Sequence, residues 1–519
     1  MPNAALGLNS ESVQVVDKLA MGKQPLEALF RPALVLMSGR FLGFVAAFAI
    51  PIVLARIFDQ TEFGSYKQIF LIFGTMFGIA QVGMAESLYY FLPSETRRSG
   101  GFAFNTLAVL GIFGVISLGA LWLWRQEAAE LLNNPGLAAS IPLVGVYLLF
   151  MLMAVVLEIV LTVRKRYAGA ATAYAVTDFV RAAFYLVPVL LFANLHALML
   201  GALGFAALRF TAAAWYVRSA YGNALTADPV ALRAHLGYAL PFGLAALIEV
   251  LQLNLHLYAV AYFVDAATFA IYAVGCLQIP LTDFLVTSTS SVMMINMRER
   301  LMEDDLESVV AIWRDSVRKV ALVFFPVAVC LLVLAHPLIV LLFTDTYRGS
   351  VPIFMIWTLS MLFAALLTDG VLRVFAETRF LIVQNLVRLG LVLATIHWFI
   401  AELGLIGAVL VTLLTTTVSK LLVLARIKSV MRVSLGQLLP WRSLAITLLI
   451  AGGAAVPAIL LRSVARLPDV ILLLATGLVY SGAYYVLLLC CGPMQRNEKR
   501  MLSQWLQFPF LRLSRAWKS

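Results

Sequence analysis

Long apolar stretches alternate with short polar segments along the whole chain. A helix of about 20 apolar residues crosses the hydrocarbon core of a bilayer. Runs of alternating polar and apolar residues, as in the strands of a membrane β-barrel, do not occur. We therefore predict an all-α polytopic membrane protein. Its fourteen predicted spans are 33–55, 68–92, 102–124, 140–163, 169–192, 195–217, 238–264, 269–296, 319–345, 350–375, 380–400, 404–427, 443–461 and 470–491.

The polar turn between the first two predicted spans returns in the second half of the chain. It reads D-x3-F-x2-Y from Asp59 to Tyr66 and again from Asp265 to Tyr272, 206 residues later. Three matches in the same order at nearly one offset indicate a duplicated unit. The other two matches pair 200–202 with 406–408, and 177–181 with 384–388.

Six predicted spans separate the repeated landmarks, so both copies have the same orientation in the membrane. Parallel repeats of this kind are a transporter architecture, with the substrate site between the repeats. We predict two parallel six-helix lobes and two extra C-terminal helices. The predicted divisions are a cytoplasmic N-terminal segment (1–32), an N-lobe (33–217), an inter-lobe loop (218–237), a C-lobe (238–427), helices thirteen and fourteen (428–491) and a basic cytoplasmic tail (492–519).

The basic residues are distributed unevenly between the two faces of the membrane. Alternate loops and the two ends hold 26 of the 38 lysines and arginines, whereas the opposite loops hold 6. Because basic loops stay in the cytoplasm, both termini are predicted to be cytoplasmic. This bias accounts for most of the net charge of +11 without a nucleic-acid partner. The tail mixes Trp and Phe with cations, which suits either membrane lipids at the inner leaflet or solvent.

The composition fits this class and offers no cofactor site. Only 13% of the residues are charged, against roughly 25% in a soluble domain. The four cysteines lie in apolar runs without the spacing of metal ligands, and no G-x-x-x-x-G-K-[ST] motif is present. We therefore expect no metal and no nucleotide, and an ion gradient as the driving force.

Several cations lie inside the predicted spans, where each costs roughly 2.5–3.5 kcal/mol on insertion scales. Arg40, Arg209, Arg388 and Lys420 are each about seven or eight residues from a cytoplasmic helix end, which is on the order of 10–12 Å of depth. Together with Arg181 they form a candidate binding belt for an anionic head group.

Local pairing is the alternative interpretation of these charges. Arg40 could pair with Glu86 or extend to the near interface. Asp178 and Arg181 are three residues apart on one helix, and their mutual neutralisation is favoured about two to one. Asp369 and Arg373 are predicted to pair in the same way.

The seventh predicted span carries a polar stripe across the middle of the membrane. Glu249, Gln252 and His256 share one helix face. Either they line a cavity, with Glu249 or His256 protonatable, or they form a hydrogen-bond network between helices. Asp283 and Glu86 are further candidates for coupling transport to H⁺ or Na⁺.

Taken with the repeat, two further stretches resemble a known family. Residues 273–297 are similar to the eighth helix, and residues 336–357 to the ninth-to-tenth connection, of the polysaccharide transporter (Wzx-like) branch of the MOP flippase superfamily. Thr344 stands where that family usually has a glycine. The resemblance implies a MOP/MATE-like fold, a V-shaped cavity and alternating access. It further implies flipping of an undecaprenyl-diphosphate-linked oligosaccharide across the bacterial inner membrane, and no set of catalytic residues.

Two other functions stay open at this point. A MATE-like exporter of small molecules would need acidic and aromatic walls, which the cations disfavour. A membrane glycosyltransferase or polymerase would need a large external catalytic loop, and the longest external loop predicted here, 125–139, is short. For a flippase, which is not an enzyme, the expected partners are the lipid-linked oligosaccharide, a polysaccharide polymerase and glycosyltransferases.

Overall fold

The computed structural model describes residues 26–94, 96–164, 167–465 and 468–493. Side chains are described from Phe41 onward, with short gaps that include 280–284. The first 25 residues and the tail from residue 494 lie outside the described residues, and so does most of the predicted N-terminal segment. Within the described ranges the regular structure is helical, and none of these residues forms a β-strand.

Nine α-helices cover the described part of the first half of the chain. They are α1 (Leu26–Ile57), α2 (Gln60–Ala80), α3 (Met84–Ser94), α4 (Ser99–Leu123), α5 (Arg125–Leu131), α6 (Ile141–Ala154), α7 (Val156–Val163), α8 (Tyr167–Phe192) and α9 (Leu195–Tyr221). Short 3-10 turns at Thr96–Arg98, Pro135–Ala139 and Gly222–Ala224 connect some of them.

Eleven more α-helices follow in the described part of the second half. They are α10 (Pro229–Phe263), α11 (Ala266–Gly275), α12 (Pro280–Met302), α13 (Leu306–Phe343), α14 (Ser350–Leu359), α15 (Met361–Ala364), α16 (Thr368–Val374), α17 (Thr378–Met431), α18 (Leu435–Leu438), α19 (Trp441–Val464) and α20 (Asp469–Cys491). A 3-10 turn at Asp345–Tyr347 follows α13.

The predicted class, an all-α polytopic membrane protein, is confirmed. Among the described residues, ten helices are long and apolar enough to cross a membrane, and eleven if the bent pair of α2 and α3 is taken as one span. Every predicted span lies largely on helical residues. The total of fourteen crossings stays a prediction.

Several predicted spans are interrupted, among them the tenth, which is divided into α14, α15 and α16 with Leu367 at φ 50°. The second span bends by 41° between α2 and α3, where Val82 and Gly83 have φ of 47° and 71°. The eighth span is broken between α11 and α12. The eleventh and twelfth spans run together as α17, with Gly404 at φ 58° marking the joint. Glycine takes positive φ at little cost, so it suits this joint.

The repeated D-x3-F-x2-Y turn is a helix start in both copies. A carboxylate oxygen of Asp59 accepts the amide of Glu62 at 2.7 Å and caps α2. Asp265 accepts the amide of Thr268 at 2.9 Å and caps α11. An N-cap side chain satisfies an amide that has no partner in the first turn. The aromatic residues of both copies are buried, so the motif combines a cap with a core anchor.

The repeated Leu/Ile-Gly-Ala segment also has the same role twice. A Cβ atom added to Gly201 would lie 1.9 Å from the carbonyl oxygen of Phe184. A Cβ atom added to Gly407 would lie 1.9 Å from the carbonyl oxygen of Phe399. Each glycine therefore allows close approach to the preceding span, as small residues do in membrane helix packing.

Most of the large helix–helix contacts lie within one half of the chain or the other, as expected for two lobes. In the first half α1 packs on α8, α4 on α6, and α9 on both α6 and α8. In the second half α10 packs on α17, α12 on α13, and α14 on α17. The halves meet where α2 packs on α10 and α11 and where α3 packs on α10. The two extra helices, α19 and α20, pack on α13. The residue limits of the lobes stay predictions.

Candidate functional site

The two N-lobe arginines of the predicted belt whose side chains are described are each held by a carboxylate. Arg209 Nη2 lies 2.8 Å from Glu158 Oε1, and these side chains are 16% and 5% exposed. Arg181 Nη2 lies 2.7 Å from Asp178 Oδ1, one helical turn away. The predicted ion pair between Asp178 and Arg181 therefore forms. The partner of Arg209 is 51 residues away in sequence and was not predicted.

A cavity of about 300 Å³ with several polar side chains in its walls lies among α12, α14, α16 and α17. Its two cations, Arg388 and Lys420, come from the two spans joined in α17. Hydroxyl groups are the most frequent polar groups in its walls. The other polar or aromatic side chains in its lining are Ser290, Trp357, Ser360, Thr368, Asp369, Thr412 and Thr416.

Lys420 is already partnered in this cavity. Its Nζ donates to Thr368 Oγ1 at 2.8 Å and lies 3.1 Å from Asp369 Oδ1. Asp369 therefore forms its ion pair with Lys420, and the predicted Asp369–Arg373 pair is wrong. A contact between residues 51 apart in sequence replaces the helical i, i+4 pair, because α16 packs on α17.

Arg388 is the cation in this cavity without a close carboxylate. No described carboxylate oxygen lies within 4.0 Å of its guanidinium group. The duplication explains the difference from the N-lobe. Arg181 has Asp178 three residues before it, whereas Arg388 has Asn385 at that position. An amide carries no charge, so the C-lobe copy leaves its arginine uncompensated.

The other predicted site residues lie elsewhere. Glu86 and Glu249 are exposed, so Glu249 does not share the buried environment of Gln252 and His256. His256 Nδ1 lies 2.8 Å from the hydroxyl of Tyr272, which fits the network interpretation of that stripe.

Two further predicted site residues have side chains outside the described part of the structure. They are Arg40 in α1 and Asp283 in α12. The complete belt and its role in substrate binding therefore stay predictions, as does ion coupling by Glu86, Glu249, His256 or Asp283. Among the belt residues whose side chains are described, Arg388 and Lys420 line the same cavity.

A second cavity, of about 350 Å³, lies between α2 and the helices α10 and α11. Its polar lining includes Lys67, Asn254, His256 and Gln278, and Trp357 lines both cavities. The break between α11 and α12 forms one wall through Cys276, Leu277 and Gln278. Non-helical backbone inside a membrane is tolerated where it lines a cavity, and broken helices mark transporter sites.

The predicted second span begins at residue 68, which leaves Lys67 in the external loop before it. The structure places it in the second turn of α2, on the wall of the second cavity. The signal that could have found it was the N-cap at Asp59, which fixes the start of the helix eight residues earlier.

The helical bundle has the fold of solved structures of the MOP superfamily. The lipid II flippase MurJ in an inward closed conformation has TM-score 0.66 and 12% identity, over 88% of this chain and 98% of that chain. An inward-facing multidrug resistance MATE family transporter has TM-score 0.57 and 14% identity, over 78% and 99%. A MOP superfamily transporter from Pyrococcus furiosus has TM-score 0.52 and 15% identity, over 78% and 96%.

The family follows from the sequence itself. Residues 53–352 match the family described as polysaccharide biosynthesis protein, and the chain belongs to it. The predicted superfamily is thereby confirmed. No curated protein matches the chain.

Proposed function

We propose that this protein is a flippase that moves a lipid-linked oligosaccharide from the cytoplasmic to the periplasmic leaflet of the bacterial inner membrane. The lipid carrier would be a polyprenyl diphosphate such as undecaprenyl diphosphate. Membership in a polysaccharide biosynthesis family supports the substrate class, and the shared MOP fold supports transport by alternating access.

One observation carries the proposal: no described carboxylate lies within ion-pair distance of Arg388, because the acid of its cavity, Asp369, is bound to Lys420, whereas the repeat-related Arg181 has its own acid. An uncompensated guanidinium group at membrane depth is costly unless a partner or water satisfies it. A diphosphate supplies that partner, because the guanidinium fork matches two phosphate oxygens.

The remaining walls suit the same ligand. Lys420 adds a second positive charge, held in position by Thr368 and Asp369. The hydroxyl groups of Ser360, Thr412 and Thr416 line the cavity and can donate hydrogen bonds to phosphate or sugar oxygens. A cationic drug would meet two cations and one paired acid here, so the charge balance disfavours the exporter alternative.

In this mechanism the diphosphate binds Arg388 and Lys420 from the inner leaflet while the lipid tail stays in the bilayer. Rocking of the two lobes then exposes the cavity to the other side. We propose an H⁺ or Na⁺ gradient as the energy source. The protein acts as a carrier and not as an enzyme, and it receives its substrate from glycosyltransferases and delivers it to a polysaccharide polymerase.

The test is a flipping assay with the purified full-length chain in proteoliposomes. The probe is a fluorescent polyprenyl-diphosphate-linked sugar whose exposure on the outer leaflet is measured by quenching. Arg388→Gln should lower the initial rate about 10- to 100-fold, the value of one charge-assisted contact. Arg388→Lys should lose less. Arg300→Gln, at an exposed arginine outside both cavities, is the matched control.

Two results would contradict the proposal. The first is wild-type protein that flips no lipid-linked sugar at all. The second is an Arg388→Gln variant that folds normally and flips the probe at the wild-type rate. Export of an organic cation by protein that leaves the lipid in place would instead favour the small-molecule exporter.

A further inference from the structure

The second cavity combines groups that the flipping of a diphosphate alone does not require. Its polar lining consists of one ammonium group, two amide side chains and one histidine, beside the indole of Trp357. Amides bind sugar hydroxyl groups as both donors and acceptors, and an indole offers a flat apolar face. The volume of about 350 Å³ lies in the range of roughly 300–1,000 Å³ that holds small molecules.

Lys67 gives this cavity a specific charge. Its Nζ lies 5.4 Å from the ring centroid of Phe63 and 5.6 Å from that of Tyr66. These aromatic faces stabilise a cation without using its N–H donors. No described carboxylate lies within 4.0 Å of the ammonium group. The aromatic rings therefore stabilise the ammonium group, and its N–H donors are left for a ligand.

The two cavities can hold parts of one molecule. Trp357 lines both of them, so a ligand in the Arg388 cavity is one side chain away from the Lys67 cavity. By the predicted topology, Arg388 and Lys420 lie in the cytoplasmic half, and Lys67 lies near the external end of α2. A lipid-linked sugar entering from the inner leaflet with its sugars foremost would place the diphosphate in the first cavity and the adjacent sugars in the second.

We infer that the transported glycan carries an acidic sugar close to the diphosphate, and that Lys67 selects its carboxylate while Asn254, Gln278 and Trp357 hold the ring. This inference rests on the proposed function and names its substrate class. A carboxylate fits better than another phosphate, because a single ammonium group is a point charge and not the forked donor that suits phosphate.

The experiment compares two probes that differ in one group. Both are fluorescent polyprenyl-diphosphate lipids, one with a glucuronate as its first sugar and one with glucose. Wild-type protein in proteoliposomes should flip the glucuronate lipid about 10- to 100-fold faster, which corresponds to one charge-assisted hydrogen bond. Lys67→Gln should remove this preference, so that the two lipids are flipped at equal rates.

Two variants control for structure. Lys67→Arg keeps the charge and should keep most of the preference. Comparison of Lys67→Gln with Lys67→Arg therefore separates loss of the charge from misfolding. Lys428→Gln removes an exposed lysine outside both cavities and should behave as wild type. Thermal unfolding in detergent should give similar midpoints for all of these chains.

The outcomes separate this inference from the proposed function. Equal rates for the two lipids in the wild type, or a preference that survives Lys67→Gln, overturn the selection by Lys67 and leave the flippase intact. If wild-type protein flips neither lipid, the proposed function fails and this inference fails with it. Faster flipping of a lipid with a phosphorylated neutral sugar than of the glucuronate lipid would overturn the assignment to a carboxylate.

Discussion

Gly64 of α2 lies directly against Ala266 of α11, so the two copies of the duplicated turn touch each other. A Cβ atom added to Gly64 would be 1.8 Å from the carbonyl oxygen of Ala266, which is backbone and cannot turn aside. The contact joins the first turns of α2 and α11, at the end of the bundle predicted to face outward. Closure of the lobes on that side therefore depends on a residue without a side chain.

We expect Gly64→Leu to hold the outward ends of the lobes apart, because the added side chain has no space against α11. The measurement is disulfide crosslinking of Gln60→Cys with Thr346→Cys in a chain without its native cysteines. In the structure Gln60 Nε2 donates to the Thr346 carbonyl at 2.9 Å, so the closed state should crosslink.

The matched control is Gly74→Leu in the same helix, where an added Cβ would meet nothing within 4 Å. It should crosslink as the parent does. Equal crosslinking in the Gly64→Leu chain would show that this contact does not control closure.

The Arg209–Glu158 pair predicts a structural role for Arg209. Its predicted depth in the membrane had instead suggested a role in substrate binding. Arg209→Gln leaves a carboxylate that is 5% exposed without its partner, which should cost about 3–5 kcal/mol of unfolding free energy. The double variant with Glu158→Gln should recover most of this loss, since no buried charge is left over. Chemical denaturation in detergent measures the double-mutant cycle.

Arg233→Gln, at an exposed arginine, is the control for this cycle and should change stability little. If the double variant is as unstable as Arg209→Gln alone, Arg209 does not stabilise the fold through its ion pair with Glu158. A stable Arg209→Gln chain that has lost flipping would return Arg209 to the binding site.

The N-cap at Asp265 predicts a stability difference that depends on pH. Hydrogen bonds from the side chain and the amide of Thr268 hold the pKa of this carboxyl below its usual value, against a smaller opposite effect of burial. A lowered folded-state pKa means that the stabilisation is present above the ordinary Asp pKa and is lost as pH falls through the folded value. Asp265→Ala should therefore lose about 0.5–2 kcal/mol at about pH 7 and less as the pH falls below the ordinary Asp pKa of about 3.9.

The measurement is unfolding free energy in detergent above and below the ordinary Asp pKa. Asp265→Asn keeps an oxygen acceptor for the Thr268 amide but does not titrate, so its deficit relative to wild type should be smaller than that of Asp265→Ala at about pH 7. A gap between wild type and Asp265→Ala that is constant with pH would contradict the cap.

The helices and the duplication could be predicted from sequence because both depend on local order. Apolar runs fix the position of each span, and the Asp59 and Asp265 turns recur with one spacing because each begins a helix with the same cap. The break before Pro280 had a signal in Gly275 and in the proline, since the residue before a proline is disfavoured in a helix. The length of the apolar run outweighed that signal, and one continuous span was predicted.

The partners of the buried charges could not be predicted in the same way. Arg181 and Asp178 are neighbours on one helix, so their pair is visible in the sequence. Glu158 reaches Arg209, and Asp369 reaches Lys420, only because different helices pack together. Their similar predicted depth in the membrane suggested one binding role for Arg209 and Lys420. The contacts between helices instead give each of them a different partner.

The substitution of asparagine for aspartate three residues before the second arginine has an evolutionary consequence. A gene duplication supplied two equivalent bundles, and one of them could keep its internally balanced charges as a scaffold. The other bundle carries an amide where the first has an acid. Under the proposed function, the two halves differ in role because one of them holds a carboxylate that the other lacks.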